Sequence, residues 1–124
     1  MVSHSYQVLH TKHHLMYDLS MGRQVKLRKV TDDEARFRCA GGIGILREEI
    51  WVNSKDEVAK YNLALILPHL SSVDNGRVLG FDNAHGPHER HCNGAIEPIQ
   101  FRGYLATLKR FLREADAIRR SYED

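Results

Sequence analysis

Near Phe101 the apolar residues of this chain change their period, and that change limits the folds open to it. Before it, apolar and polar residues alternate, so each extended segment has one dry and one wet face. "RQVKLRKV" (23–30) sets basic residues against Val25 and Leu27, and "ARFRCA" (35–40) sets Phe37 and Cys39 against Arg36 and Arg38. "VAKYNLALILP" (58–68) places Tyr61, Leu63, Leu65 and Leu67 on one parity and ends apolar on both faces, as a central strand does. From 103 to 121 the rule changes. Leu105, Leu108, Leu112, Ala115 and Ile118 recur at helical spacing, flanked by Tyr104 and Phe111, while Lys109, Arg110, Arg113, Arg119 and Arg120 take the other face. The expected fold is α+β: an antiparallel β-sheet meander with one long C-terminal helix, about 104–120, packed on it.

Shorter signals mark the remaining elements. "YQVLH" and "HLMYDLS" read as short strands around a turn, so residues 1–20 form an edge hairpin or an arm. "TDDE" (31–34) is expected to turn the chain, and "AGGIG" (40–44) to break or bulge the strand it enters. In "ILREEIWVN" (45–53) the Ile50–Val52 part reads as strand, and "IEPIQF" (96–101) as a short one. Asp74-Asn75-Gly76 is a strong turn signal, placing a strand at 77–82 beside the central one at 58–67.

The 124 residues carry no internal repeat or linker, so a single domain, 1–124, is expected. A hydrophobic fraction of 42% argues against a disordered chain, and a net charge of +2 means that attraction to nucleic acid must come from a local patch. Cys39 and Cys92 read as free thiols, with Cys39 pointing inward from its strand. The start lacks an apolar signal core and no run approaches the roughly 18 apolar residues of a spanning helix. A soluble cytoplasmic protein without a membrane partner is expected. Trp51, the single tryptophan, reads as a core or rim anchor, and His69 as a loop residue. "GGIG" is not a phosphate loop, since no lysine follows and no helix begins there.

Histidine usage is the departure from the ordinary. There are eight, and seven fall in two groups: His4, His10, His13 and His14, then His85, His88 and His91. The second group lies in "GFDNAHGPHERHCNG" (80–94), where a strand leaves the sheet and loops most often carry chemistry. Three readings of this segment stand. His85, His88, His91 and Cys92 are ligand types for zinc or nickel, although structural sites usually split their ligands into two separated pairs. Alternatively, the segment holds a metal-independent centre for cutting RNA by attack of its own 2′-hydroxyl. Two histidines would then move protons, Arg90 would offset charge on the phosphorus through its fork of donors, and Asp82 or Glu89 would orient an imidazole. The plain reading is a polar loop built on Asp-Asn and Gly-Pro turns.

The stretch "KYNLAL…GRVLGFDNAHGPHERHCNG…PIQFRGYLATLKRFL", about 58–115, resembles the TumE family of toxin–antitoxin proteins. The matching positions are Lys60, Tyr61, Leu63, Gly80, Phe81, Asp82, Asn83, His85, Gly86, Arg90, His91 and Gly94. Glu89 interrupts the family's dense histidine stretch, Cys92 stands where another histidine is common, and the N-terminal half has no counterpart. The resemblance implies a small cytoplasmic toxin held inactive by a cognate antitoxin encoded beside it. The ribonuclease chemistry comes from the loop's residues and not from the resemblance.

Combined, these readings predict a toxin that is a metal-independent endoribonuclease, needing no cofactor. His85 and His91 form the proton-transfer pair, with His88 assisting, Arg90 stabilising the phosphorane and Asp82 orienting. Asn83, Lys109 and Arg113 are the expected substrate contacts. The expected partners are RNA and an antitoxin, with self-association allowed. A non-catalytic module that docks on RNA, ribosome or protein, and a metal-binding protein, are the alternatives.

Overall fold

The computed structural model describes residues 6–8, 12–18 and 23–123, with side chains from residue 26 onward. Among these residues, eight strands form one antiparallel sheet: β1 (Tyr6–Val8), β2 (Lys12–Asp18), β3 (Arg23–Cys39), β4 (Gly42–Val52), β5 (Val58–Ile66), β6 (Arg77–Asp82), β7 (Glu89–Cys92) and β8 (Ala95–Pro98). One helix, α1 (Tyr104–Ser121), follows. Strands β3 to β8 neighbour one another in chain order, with β1 and β2 both paired to β3, so β5 is central and β6 lies beside it, as its apolar sequence predicts. His4 and His10 lie outside the described residues, as do the side chains of His13 and His14. Among the described residues, no helix is long and apolar enough to cross a membrane.

The expected turn at "TDDE" is absent. β3 runs on for 17 residues, with only a bulge between Lys29 and Thr31. These acids stay in the strand because cations meet them: the Lys29 ammonium lies 2.8 Å from Asp32 and 2.7 Å from Glu49, and Arg47 lies 2.6 Å from Glu34. Burial acts to lower the Lys29 pKa, but its bonds to Asp32 and Glu49 outweigh that and hold it above the ordinary value. Trp51 is buried with the Lys29 and Lys60 ammonium groups over its ring. "AGGIG" does interrupt the chain, but as the hairpin itself. Ala40 (φ 49°) and Gly41 (φ 82°) make a two-residue turn that sends all of 42–52 back as β4.

One face of the sheet is the core. Tyr61, Leu63, Leu65, Leu79 and Phe81 stack there with Phe37 and Cys39, and α1 lies across them. The helix buries Thr107, Phe111 and Ala115, with Tyr104, Leu108 and Ile118 packed at the margin. Phe111 meets Phe81 edge-on at 6.1 Å, and burying such a ring stabilises by about 1.5–3 kcal/mol. Here the expected stripe is corrected: Leu105 and Leu112 are 62% and 40% exposed, because the wide Phe111 sets which side of the helix meets the sheet. His69 sits in the connection after β5, bonded through Nε2 to the Cys39 carbonyl at 2.6 Å.

Candidate active site

The histidine segment is a hairpin rather than an open loop. Its residues 89–92 return as β7, pairing Asp82 with Glu89, Phe81 with Arg90, Gly80 with His91 and Leu79 with Cys92. Directly opposed residues share a face, and successive residues along a strand point to opposite faces. Phe81 and Leu79 belong to the core, so Arg90 and Cys92 point toward the helix side. Asp82, Glu89 and His91 point to the other face, which α1 does not cover. The expected catalytic set is therefore divided by the sheet.

On the helix-free face, Asp82 and His91 stand together. The His91 Nε2 is 3.2 Å from Asp82 Oδ2 and 4.0 Å from Glu89 Oε1, and both His91 and Asp82 side chains are over nine-tenths buried. The 3.2 Å approach lacks hydrogen-bond alignment, so this buried nitrogen has no hydrogen-bond partner. One donor atom from each of Asp82, Glu89 and His91 lies within 4.8 Å of the others.

Arg77 completes the group. Its Nη1 is 3.1 Å from Asp82 Oδ2 and its Nε 2.8 Å from Asp74 Oδ2, so the guanidinium bridges two carboxylates at the start of β6. It passes over Gly80, where a Cβ would stand 2.9 Å from the arginine Cδ and Nη1. Asn62, opposite Asp82 on β5, donates from Nδ2 to Glu49 Oε1 at 2.9 Å and extends the polar face inward.

The remaining predicted residues serve the other face or the frame. Arg90 donates from Nε to Glu114 Oε1 at 2.8 Å, its Nη2 lies 2.7 Å from the same oxygen, and it reaches Glu97 at 3.2 Å. Arg110 holds the second oxygen of Glu114 at 2.7 Å. Burial acts to raise the Glu114 pKa, but the Arg110 and Arg90 bonds outweigh it and hold the carboxyl below its usual range. Arg90 is thus a strut between β7 and α1, turned away from Asp82 and His91.

His88 stacks on Phe101 with ring centroids 3.8 Å apart, and its Nδ1 is 2.9 Å from the Tyr61 hydroxyl. Burial pushes the His88 pKa down and the Tyr61 phenol up to about 12, so a protonated phenol and a neutral imidazole share this hydrogen bond at neutral pH. His85 is exposed at the hairpin tip. Asn83 accepts the Tyr61 N–H through Oδ1 (3.0 Å) and donates to the Ala59 carbonyl through Nδ2 (2.9 Å), tying the hairpin to β5. That engages both ends of its amide. Lys109 and Arg113 are exposed on α1, across the sheet from Asp82 and His91.

The expected histidine pair is not brought together, and neither is the alternative metal set of His85, His88, His91 and Cys92. Sequence reasoning found Asp82 and His91 and offered Glu89 as an alternative orienting acid, but it did not place Glu89 beside them on one face and missed Arg77. Alternation was the available signal: in a strand, Glu89 and His91 must share a face. What the grouped residues can do is move protons and offset anionic charge, or hold a cation. No protein-family model, curated protein or solved structure matches this chain, so a functional reading rests on its own residues and their geometry.

Proposed function

We propose that this chain is the toxin of a cytoplasmic toxin–antitoxin pair and that it cuts RNA on the helix-free face of its sheet. One observation carries the chemistry: Asp82, Glu89, His91 and Arg77 converge on the face that α1 does not cover. Internal cleavage of RNA needs a base for the 2′-hydroxyl proton and an acid for the departing 5′-oxygen. A cation must also offset the charge gathering on the phosphoryl oxygens. Glu89, the more exposed carboxylate, takes the proton as the O2′–P bond forms. His91, whose Nε2 stands 3.2 Å from Asp82, delivers its proton as the P–O5′ bond breaks, leaving a 2′,3′-cyclic phosphate. Arg77 offers the planar fork suited to a phosphate. This reading keeps His91 and Asp82 from the sequence-based expectation, replaces His85 with Glu89, and gives the arginine role to Arg77 instead of Arg90.

The toxin role is supported by the TumE-like residues, which fall together on β5, β6, β7 and the turns joining them. A surface for the antitoxin is supported by α1, whose exposed Leu105 and Leu112 lie beside Lys109 and Arg113. Neither of these cations makes an ion pair among the described residues. Apolar residues edged by free positive charge suit an acidic amphipathic segment.

The test is purified protein with cellular RNA, with and without EDTA, beside growth of bacteria producing it. Cleavage that survives EDTA, leaves cyclic-phosphate ends and falls about 10²–10⁴-fold in Glu89→Gln and His91→Ala is expected. Uncut RNA at high protein concentration, or unimpaired growth at high expression, sinks the reading.

A further inference from the structure

We infer that Asp82, Glu89 and His91 form a binding site for a zinc ion, and that the ion switches off the chemistry proposed for the same face. The three side chains come from two adjacent strands of one hairpin, so their spacing is set by backbone pairing and not by a loop. Asp82 and Glu89 are directly opposed, and His91 is two residues beyond Glu89 on the same face. Zinc bonds imidazole nitrogen and carboxylate oxygen at about 2.0–2.2 Å, so tetrahedral ligands stand roughly 3.4 Å apart. The His91 Nε2 lies 3.2 Å from Asp82 Oδ2 and 4.0 Å from Glu89 Oε1, close to that spacing on both sides.

The second observation is independent of the acids. The His91 side chain is only 8% exposed, and its Nε2 faces the carboxylates with no hydrogen-bond partner. A polar nitrogen withheld from water without a partner is costly, and a metal bond satisfies it. Two carboxylates balance the charge of a dication, and the imidazole favours zinc over magnesium, which prefers oxygen ligands and keeps its waters. Three protein ligands leave the fourth position of a tetrahedral ion open.

Arg77 is the competitor. It donates to the same Asp82 oxygen that faces His91, and its Nε is separately anchored on Asp74, so it can give up Asp82 without losing its place. Zinc takes the Nε2 lone pair, which is where His91 would carry the proton given to the leaving oxygen. Metal binding and cleavage therefore exclude each other. This consequence, though not the site itself, rests on the ribonuclease reading above.

The experiment is zinc titration of the full chain, read by thermal shift and calorimetry, beside RNA cleavage at each zinc concentration. Zinc is expected to raise the melting temperature and magnesium to leave it unchanged, with cleavage falling as the site fills. Glu89→Gln and His91→Ala should each weaken zinc binding by at least about tenfold. Arg77→Ala should tighten it, which keeps the test decisive where His91→Ala fails to fold. Absence of a zinc-dependent shift overturns the site, whatever the RNA does. Binding that survives in both Glu89→Gln and Arg77→Ala unchanged assigns zinc to the N-terminal histidines and overturns it as well. A zinc shift in a protein that cuts no RNA leaves the site standing and refutes the ribonuclease reading instead.

Discussion

Replacing Arg90 by alanine separates a structural arginine from a chemical one. The side chains of Arg90 and Glu114 are each 22% exposed and meet through two nitrogens on one oxygen, at 2.8 and 2.7 Å. Hydrogen bonds to charged groups contribute roughly 1.5–3 kcal/mol each when well formed. Glu114 keeps Arg110 in the variant, so the loss is held near the middle of that range. The outer contact to Glu97, itself 56% exposed, adds little. A destabilisation of about 2 kcal/mol follows, or roughly 6–10 °C in melting temperature for a chain of this size.

Urea unfolding of the parent, Arg90→Ala, Glu114→Gln and the double variant measures the coupling directly, and about 1–2 kcal/mol is expected. The sign with pH is also set. Glu114 titrates below its ordinary 4.5 in the folded state, so the pair's contribution is present above that value and fades as pH falls through the lower, folded pKa. The difference between parent and Arg90→Ala should therefore shrink toward pH 3. Activity per folded molecule should be nearly unchanged at neutral pH. An Arg90→Ala protein with the parent's unfolding midpoint and no activity would refute the strut and return Arg90 to the chemistry.

Three further outcomes are expected. Gly80→Ala should displace Arg77 from Asp82, because the new Cβ meets the arginine at 2.9 Å; melting should change by less than about 1 kcal/mol while cleavage falls at least tenfold. Asn83→Ala leaves the Tyr61 N–H and Ala59 carbonyl without their partner and should lower stability by about 1–3 kcal/mol in urea; an unchanged midpoint with weaker RNA binding would make Asn83 a substrate contact after all. His88 has a folded pKa below 6.5, so the unfolded chain binds the extra proton and stability declines as pH falls below that value; His88→Gln should flatten the melting-temperature profile between pH 7 and 5.

What could be read from the sequence, and what could not, follows from where the physics is local. β5 and the extent of α1 were legible because their apolar periods are long, and β6 because the Asp74-Asn75-Gly76 turn marks where it begins. The passage of β3 through Thr31–Glu34 was not, since "TDDE" looks like a turn until Lys29 and Arg47 are known to meet its acids. The side of α1 that meets the sheet was ambiguous for a similar reason. Both the Leu105–Leu112 stripe and the Phe111–Ala115 stripe fit a helix, and the fit of Phe111 against Phe81 decides between them. Within the candidate site, Asp82 and His91 were visible as a rare grouping of residue types. Glu89 was legible only as an alternative orienting acid, because a loop reading carries no parity to place it, and Arg77 lies outside the segment altogether.

The alternation of β6 and β7 has a consequence for how such a protein can change over generations. Leu79, Phe81, Arg90 and Cys92 answer to folding, while Gly80, Asp82, Glu89 and His91 answer to the chemistry proposed for the other face, so neighbouring codons are judged by different criteria. Improving a binding or reacting group usually erodes the stability of the scaffold that carries it. Here the side chains of the proposed site can be exchanged without touching the face that packs on α1, so the penalty is confined to the buried Asp82–Arg77 pair and His91. A saturation survey of 79–92 scored separately for solubility and for growth arrest should show two sensitivity patterns, offset by one residue. On the proposed reading, a lineage bearing this hairpin can lose or redirect its chemistry through residues that the helix-packed face does not constrain.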